Sequence, residues 1–193
     1  MLLLLAMSCS TPETPEPSMT EQDIPQASPA RIVAEATALA KATDAIGEVK
    51  TTFGTRLHEA IGTEGLEAAA RVCSEEAQGM TALLSAETGA KVGRSSTKLR
   101  NPQNAGPDWV QEYLAEQEGK LAVDVAGLSE IEGDTARVAK PIGIQATCLS
   151  CHGTEVEPSV QAMLTERYPD DKAVGYREGE LRGVIWAEVP VAL

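Results

Sequence analysis

Cys148-Leu149-Ser150-Cys151-His152 is the stretch that the rest of the chain has to be built around. Two thiols separated by two residues and followed at once by an imidazole form the attachment pattern of a c-type haem. The thiols add to the two vinyl groups of the porphyrin, and the two-residue spacer lets both sulfurs reach one macrocycle. The histidine is then held under the iron as an axial ligand. The same residues have other uses. A Cys-x-x-Cys pair also serves as a redox dithiol, or as half of a zinc site that Cys73 would complete as a Cys3His set. Structural zinc sites usually present two compact ligand pairs, and Cys73 has no neighbour of that kind in sequence. A dithiol has no use for the histidine. The motif therefore predicts one covalent haem c on Cys148 and Cys151, with His152 on the iron.

The 193 residues suffice for one domain and a tail. A formal net charge of -13 argues against nucleic acid as a partner and against direct docking to anionic lipid. Acidic surfaces also steer basic redox partners, or simply keep a chain soluble. Aromatic residues make up only 3%, so a core or cofactor pocket must come mainly from Ala, Val, Leu and Ile. With Cys148 and Cys151 on haem and Cys9 at the N-terminus, Cys73 is left without a disulfide partner.

Met1 to Cys9 is an apolar run that ends on a small residue before cysteine, like the end of a bacterial lipoprotein signal with Cys9 as the lipid-bearing residue. It is too short to span a bilayer, which takes about 20 residues. It also lacks the basic start and full apolar core of a secretory signal, so the true start is expected upstream. An ordinary secretory peptide is the other reading. Both imply export to the periplasm or beyond, where c-type attachment takes place, with membrane association only through a lipid on Cys9. Residues 10–30, rich in Pro, Glu, Ser and Thr, read as a disordered tether to a domain over 31–193.

From Arg31 to about Ile61 the chain has a helical period. Ile32, Leu39, Ile46 and Phe53 recur every seven residues, with Ala36, Val49 and Leu57 on the same stripe and Gly47 and Gly54 as candidate breaks. His58 lies about 100° off the stripe and reads as a surface histidine. Gly62 to Gly65 interrupts the pattern, and Thr63 is placed to cap a second helix to about Ala86. Its apolar face runs Leu66, Ala69, Ala70, Cys73, Ala77, Met80, Leu84. The small residues around Cys73 let a flat macrocycle approach the helix backbone. Cys73 reads either as a small buried hydrophobe or as the second axial ligand, with Met80 and Met163 competing for that position.

Lys91 to Pro107 is polar and reads as a loop, with Asn101-Pro102 and Gly106-Pro107 as turns. Within it, Arg94, Ser96, Lys98, Arg100 and Asn101 are candidate partners for haem propionates, arginine suiting carboxylates best; a solvated loop is the alternative. A short helix follows from Trp109 to about Gln117, capped by Asp108. Val123 to Ile131 and Thr135 to Ile144 flank Glu132-Gly133-Asp134 as a hairpin. After the haem motif comes a short helix, Glu157 to Tyr168. Val184 to Val191 then alternates, with Ile185, Ala187, Val189 and Val191 on one face and Pro190 marking an edge or a strand end. Helices first and antiparallel strands later make an α+β domain.

Several pieces form a joint pattern: Val72-Cys73 in a helix; Gly93-Arg94-Ser95-Ser96 leading to Arg100-Asn101-Pro102-Gln103-Asn104; Pro141 ahead of Cys148-Leu149-Ser150-Cys151-His152-Gly153; and Tyr168 to Tyr176 with Gly179, Arg182 and Gly183. From about Ala34 onward this resembles the PAS-like mono-haem c-type cytochrome family, long catalogued as a domain of unknown function and met also as a sensor module of membrane signalling proteins. The resemblance implies a PAS-like antiparallel sheet carrying one covalent haem, with unusual His/Cys axial ligation falling on His152 and Cys73. Unlike the sensor members, the sequence shows no kinase, methyl-accepting region or transmembrane helix after the domain.

Three functions are open. The first is an exported, low-potential one-electron redox protein that exchanges electrons with a partner protein. The second is a redox or gas sensor acting through a separate partner. The third, an enzyme such as a peroxidase, needs an open iron site and a distal acid–base group, for which His58 is the one spare histidine.

Overall fold

The Ser28 side chain accepts a hydrogen bond from the Arg31 N–H and starts helix α1, Pro29–Glu59. The computed structural model describes residues 27–192; the signal, Cys9 and the tether as far as residue 26 lie outside them. Helix α1 runs unbroken through Gly47 and Gly54. Its buried face is Ala38, Ala42, Ala45, Ile46 and Val49, while Ile32 is 56% exposed and Ala36 is exposed too. The expected seven-residue stripe fails at this end because an α-helix drifts about 20° per heptad. The face that meets the sheet follows the 3.6-residue period instead.

A π-helical turn, Ala60–Glu64, ends α1, and Gly65 begins α2, Leu66–Arg71. Thr63 does not cap α2, contrary to expectation; its hydroxyl donates back to the Glu59 carbonyl at 2.8 Å. A second π turn, Val72–Glu76, joins α2 to α3, Ala77–Thr88.

Four strands follow, β1 Lys91–Ser95, β2 Leu128–Glu132, β3 Thr135–Gly143 and β4 Leu181–Pro190. They form one antiparallel sheet in the order β1-β4-β3-β2. The α+β class therefore holds. Two stretches differ from the reading of the sequence. Lys91–Ser95, taken as loop, is an edge strand: Val92 is buried under α1, and Gly93 is needed because a Cβ there would stand 2.5 Å from the Trp186 ring. That requirement comes from a residue on another strand. The hairpin strand starts at Leu128, not Val123, because Ala122 donates to the Gly179 carbonyl and Ala122–Asp124 makes a 3-10 turn. Pro190 closes β4 as a strand end, and β4 is central in the sheet.

The register sorts the sheet into two faces. Val92, Val138, Ile185, Ala187 and Val189 pack under α1. Val184, Trp186 and Ala139 pack under α4, Asp108–Glu116, through Val110 and Leu114. Beyond the sheet, α5, Leu149–His152, and α6, Pro158–Arg167, complete the α-helices of the described residues, and α6 sets Val160 and Leu164 against Ala70 of α2. Among the described residues no helix is long and apolar enough to cross a membrane.

At Gly183 β4 passes close to the end of β1: a Cβ there would lie 2.1 Å from the Ser95 carbonyl oxygen. Gly183→Ala is expected to destabilise the fold by about 2–3 kcal/mol. The readout is a lower urea midpoint at unchanged slope; an unchanged midpoint would contradict this packing.

Candidate cofactor site

The α1 face of the sheet does not end at the core. Past Ile46 and Val49 the helix and sheet diverge, and a cavity of about 440 Å³ opens between α1, α2, β3, β4 and the motif segment. Its apolar walls include Phe53, Leu57, Leu66, Ile142 and Ile144. Cys148, Cys151, His152 and Cys73 all line it. The three thiols are free and half-buried.

The motif is a short helical run, a 3-10 turn Ala146–Cys148 passing into α5. Residues far away in sequence hold it. His152 Nδ1 donates to the Ala173 carbonyl at 2.6 Å, which leaves Nε2 with its lone pair. Burial, with Arg182 and Arg100 nearby, pushes the imidazole pKa down to about 3 against the pull of that carbonyl, so the ring is neutral at neutral pH. The Tyr176 N–H donates to the His152 carbonyl and the Gly175 N–H to the Gly153 carbonyl, at 2.9 and 2.8 Å. The Tyr176 ring stands edge-on to the imidazole, centroids 6.3 Å apart. Arg100 donates to the Cys151 carbonyl at 2.6 Å and pairs with Asp171 at 2.8 Å, both side chains buried.

Cys73 lies in the second π turn. Tyr168 donates to the Ser74 carbonyl at 3.3 Å and ties that turn to the end of α6. Burial pushes the Cys73 thiol up, while the Arg94, Arg100 and Arg182 cations pull it back. The competing methionines are placed elsewhere: Met80 is on α3, and Met163 packs beside Val160 and Leu164; neither lines the cavity. Nor does any group of three or more His, Cys, Asp or Glu among the described residues converge to hold a metal ion, so the Cys3His set is not assembled.

The polar segment divides. Arg94 faces the cavity with its guanidinium 4.3 Å from the Phe53 ring centre and no carboxylate partner among the described residues. Ser96, Arg100 and Asn101 line the cavity but have partners in the protein: Ser96 accepts from the Lys98 N–H, Arg100 is paired, and Asn101 caps the turn Pro102–Asn104. Lys98 is exposed and off the cavity wall, with its ammonium 4.7 Å from the Tyr176 ring centre. Of the residues read as propionate partners it alone is outside the cavity lining, since the chain turns at Ser96 and carries it outward.

Sequence reading missed Arg182 as a site residue. Ile142 pairs with Gly183 and Gly143 with Leu181, which leaves Arg182 as the extra residue of a β-bulge. Strict alternation would set it beside Val184 and Trp186 on the far face; the bulge turns it into the cavity. It too lacks a carboxylate partner among the described residues, and burial pushes its pKa down. His58 is exposed, as expected, yet it sits on the cavity wall, its Nδ1 donating to the Gly54 carbonyl at 2.8 Å.

This donor set fits haem. The cavity falls in the range of about 300–1,000 Å³ usual for cofactor sites. Two thiols and an imidazole with a free lone pair face it, and the half-buried guanidinium groups of Arg94 and Arg182 on its wall suit carboxylates.

The Tll0287-like family model matches residues 25–190. A crystal structure of the cyanobacterial heme-protein Tll0287 is similar at 25% sequence identity and a TM-score of 0.54, covering 86% of this chain and 98% of that one. No curated protein matches the chain. A motif held by a carbonyl clamp, a sheet of four antiparallel strands and a family match over most of its length lead to one statement: the chain belongs to the Tll0287-like family.

Proposed function

We propose that this chain is an exported mono-haem c-type cytochrome that carries single electrons at low potential. The observation that supports this most is the meeting of Cys148, Cys151, His152 and Cys73 on one largely apolar cavity, with the imidazole Nε2 left free. Bound there, haem supplies a one-electron step between ferric and ferrous iron. Cys148 and Cys151 would hold it by thioether bonds. The His152 Nε2 and the Cys73 thiolate would fill its two axial positions, which suits outer-sphere transfer and discourages oxygen binding. Thiolate donates charge and favours the ferric state, hence a low potential. Arg94 and Arg182 are the groups suited to the two propionates. Arg100 and Asp171 keep the motif in place. The apolar run ending at Cys9 supports export and a lipid anchor.

A haem-based sensor is the second reading, favoured by the place of Cys73 in a π turn. Single π turns are often found at functional sites. A rearrangement of this turn would move the thiolate, on reduction or when a gas takes its place.

Protein matured in a host that attaches haem should have the mass of polypeptide plus one haem. The Cys148→Ala/Cys151→Ala pair should lack the covalent adduct; bare polypeptide in the parent protein would end the c-type reading. Cys73→Ala is expected to shift the ferric absorption spectrum and raise the potential, and an unchanged spectrum would remove Cys73 as a ligand. Carbon monoxide or nitric oxide added to the reduced form separates carrier from sensor: an inert spectrum counts against sensing. Asp171→Ala leaves Arg100 buried and unpaired. It is expected to cost about 3–5 kcal/mol in urea unfolding; a loss under about 1 kcal/mol would mean that the pair does not hold the motif.

A further inference from the structure

The cavity wall carries five cationic side chains, Lys50, Arg94, Arg100, Lys140 and Arg182, and no aspartate or glutamate. The chain as a whole has 29 acidic and 16 basic residues, so this is a local reversal of its charge. Arg100 is matched by Asp171. Arg94 and Arg182 are taken up by the two propionates in the reading above, on which this inference rests. Lys50 and Lys140 remain. They stand on opposite walls, one on α1 and one on β3, and both are exposed, which places them where the cavity opens. Neither has an ion-pair partner among the described residues.

We propose that this mouth is the docking surface for a one-electron partner protein with an acidic face, whose carboxylates meet Lys50 and Lys140. The partner gives or takes the electron. At physiological salt the screening length is about 8 Å. The two ammonium groups at the mouth therefore outweigh the distributed charge of -13 for a group approaching there.

The test is the oxidation rate of the reduced, haem-loaded protein by an anion, hexacyanoferrate(III), and by a cation, hexaammineruthenium(III). Between about 10 mM and about 150 mM salt the screening length falls from about 30 to about 8 Å. The anion reaction is expected to slow about tenfold over this range, and the cation reaction to show no such slowing. Lys50→Glu/Lys140→Glu should abolish or reverse the salt effect, and Lys50→Gln/Lys140→Gln should weaken it. Lys41→Glu/Lys120→Glu changes charge equally outside the cavity lining and should leave it intact. A cation reaction that is the faster one at low salt and slows as salt rises would overturn the proposal, as would mouth variants that behave like the parent. A protein with no redox-linked spectral change toward either reagent would bring down the haem reading itself, and the docking surface with it.

Discussion

Arg100 and Asp171 meet at 2.8 Å with both side chains buried, and the organisation of the site depends on that contact. A lone buried charge costs several kcal/mol, so neither residue is tolerable without the other. Their pairing brings the loop after β1 against the loop after α6. From there Arg100 reaches the Cys151 carbonyl, Asp171 accepts the Ala173 N–H, and the Ala173 carbonyl accepts His152 Nδ1. Three separate sequence elements are thus one hydrogen-bonded unit. The Arg-Asn-Pro segment, the Cys-x-x-Cys-His segment and the closing Asp-Lys-Ala-Val-Gly-Tyr segment occur together because each fixes the next. A histidine whose ring nitrogen is already committed to a carbonyl presents the other in one tautomer, before any cofactor arrives.

The charge arrangement follows from the same framework. The chain is acidic, yet the residues turned into the cavity are cations without carboxylates. Arg94 gets there by strand parity, as the residue two after Val92 on the α1 face of β1. Arg182 gets there by the bulge in β4. Each is held in place by an aromatic ring, Phe53 for Arg94 and Tyr176 for Arg182. The few aromatic residues of the chain are used at the cavity and at the Trp109–Trp186 contact under α4, rather than throughout the core. Alanine does most of the packing of α1 on the sheet, which lets the helix lie close until Phe53, where larger side chains and the diverging sheet leave room.

Much of this was legible in order along the chain. The haem-attachment pattern is local chemistry, complete within five residues. The long first helix, the hairpin around Gly133-Asp134 and the alternating final strand are also local, because periodicity reports which face of an element is buried. Cys73 stood out because it sits among alanines on an apolar face. Sequence failed where the deciding atom belongs to another element. Lys91–Ser95 looks like a polar loop, and becomes a strand because β4 offers it an edge and Trp186 fills the space over Gly93. Ile32 fits the heptad stripe, and lies outside because the face that meets the sheet follows the 3.6-residue period.

By itself, then, the sequence determined the kinds of group available: two thiols and an imidazole at haem spacing, a third thiol on a helix of small residues, and an α+β order of elements. Spacing and period are properties of neighbours along the chain, so they survive without a fold. Only the tertiary structure decided which of the cations face the cavity, that Lys98 does not, that Arg182 does, and that the methionines stand aside. Those outcomes turn on a strand bulge and on one ion pair between residues 71 positions apart, Arg100 and Asp171. Contacts of that range exist only once the chain has closed on itself.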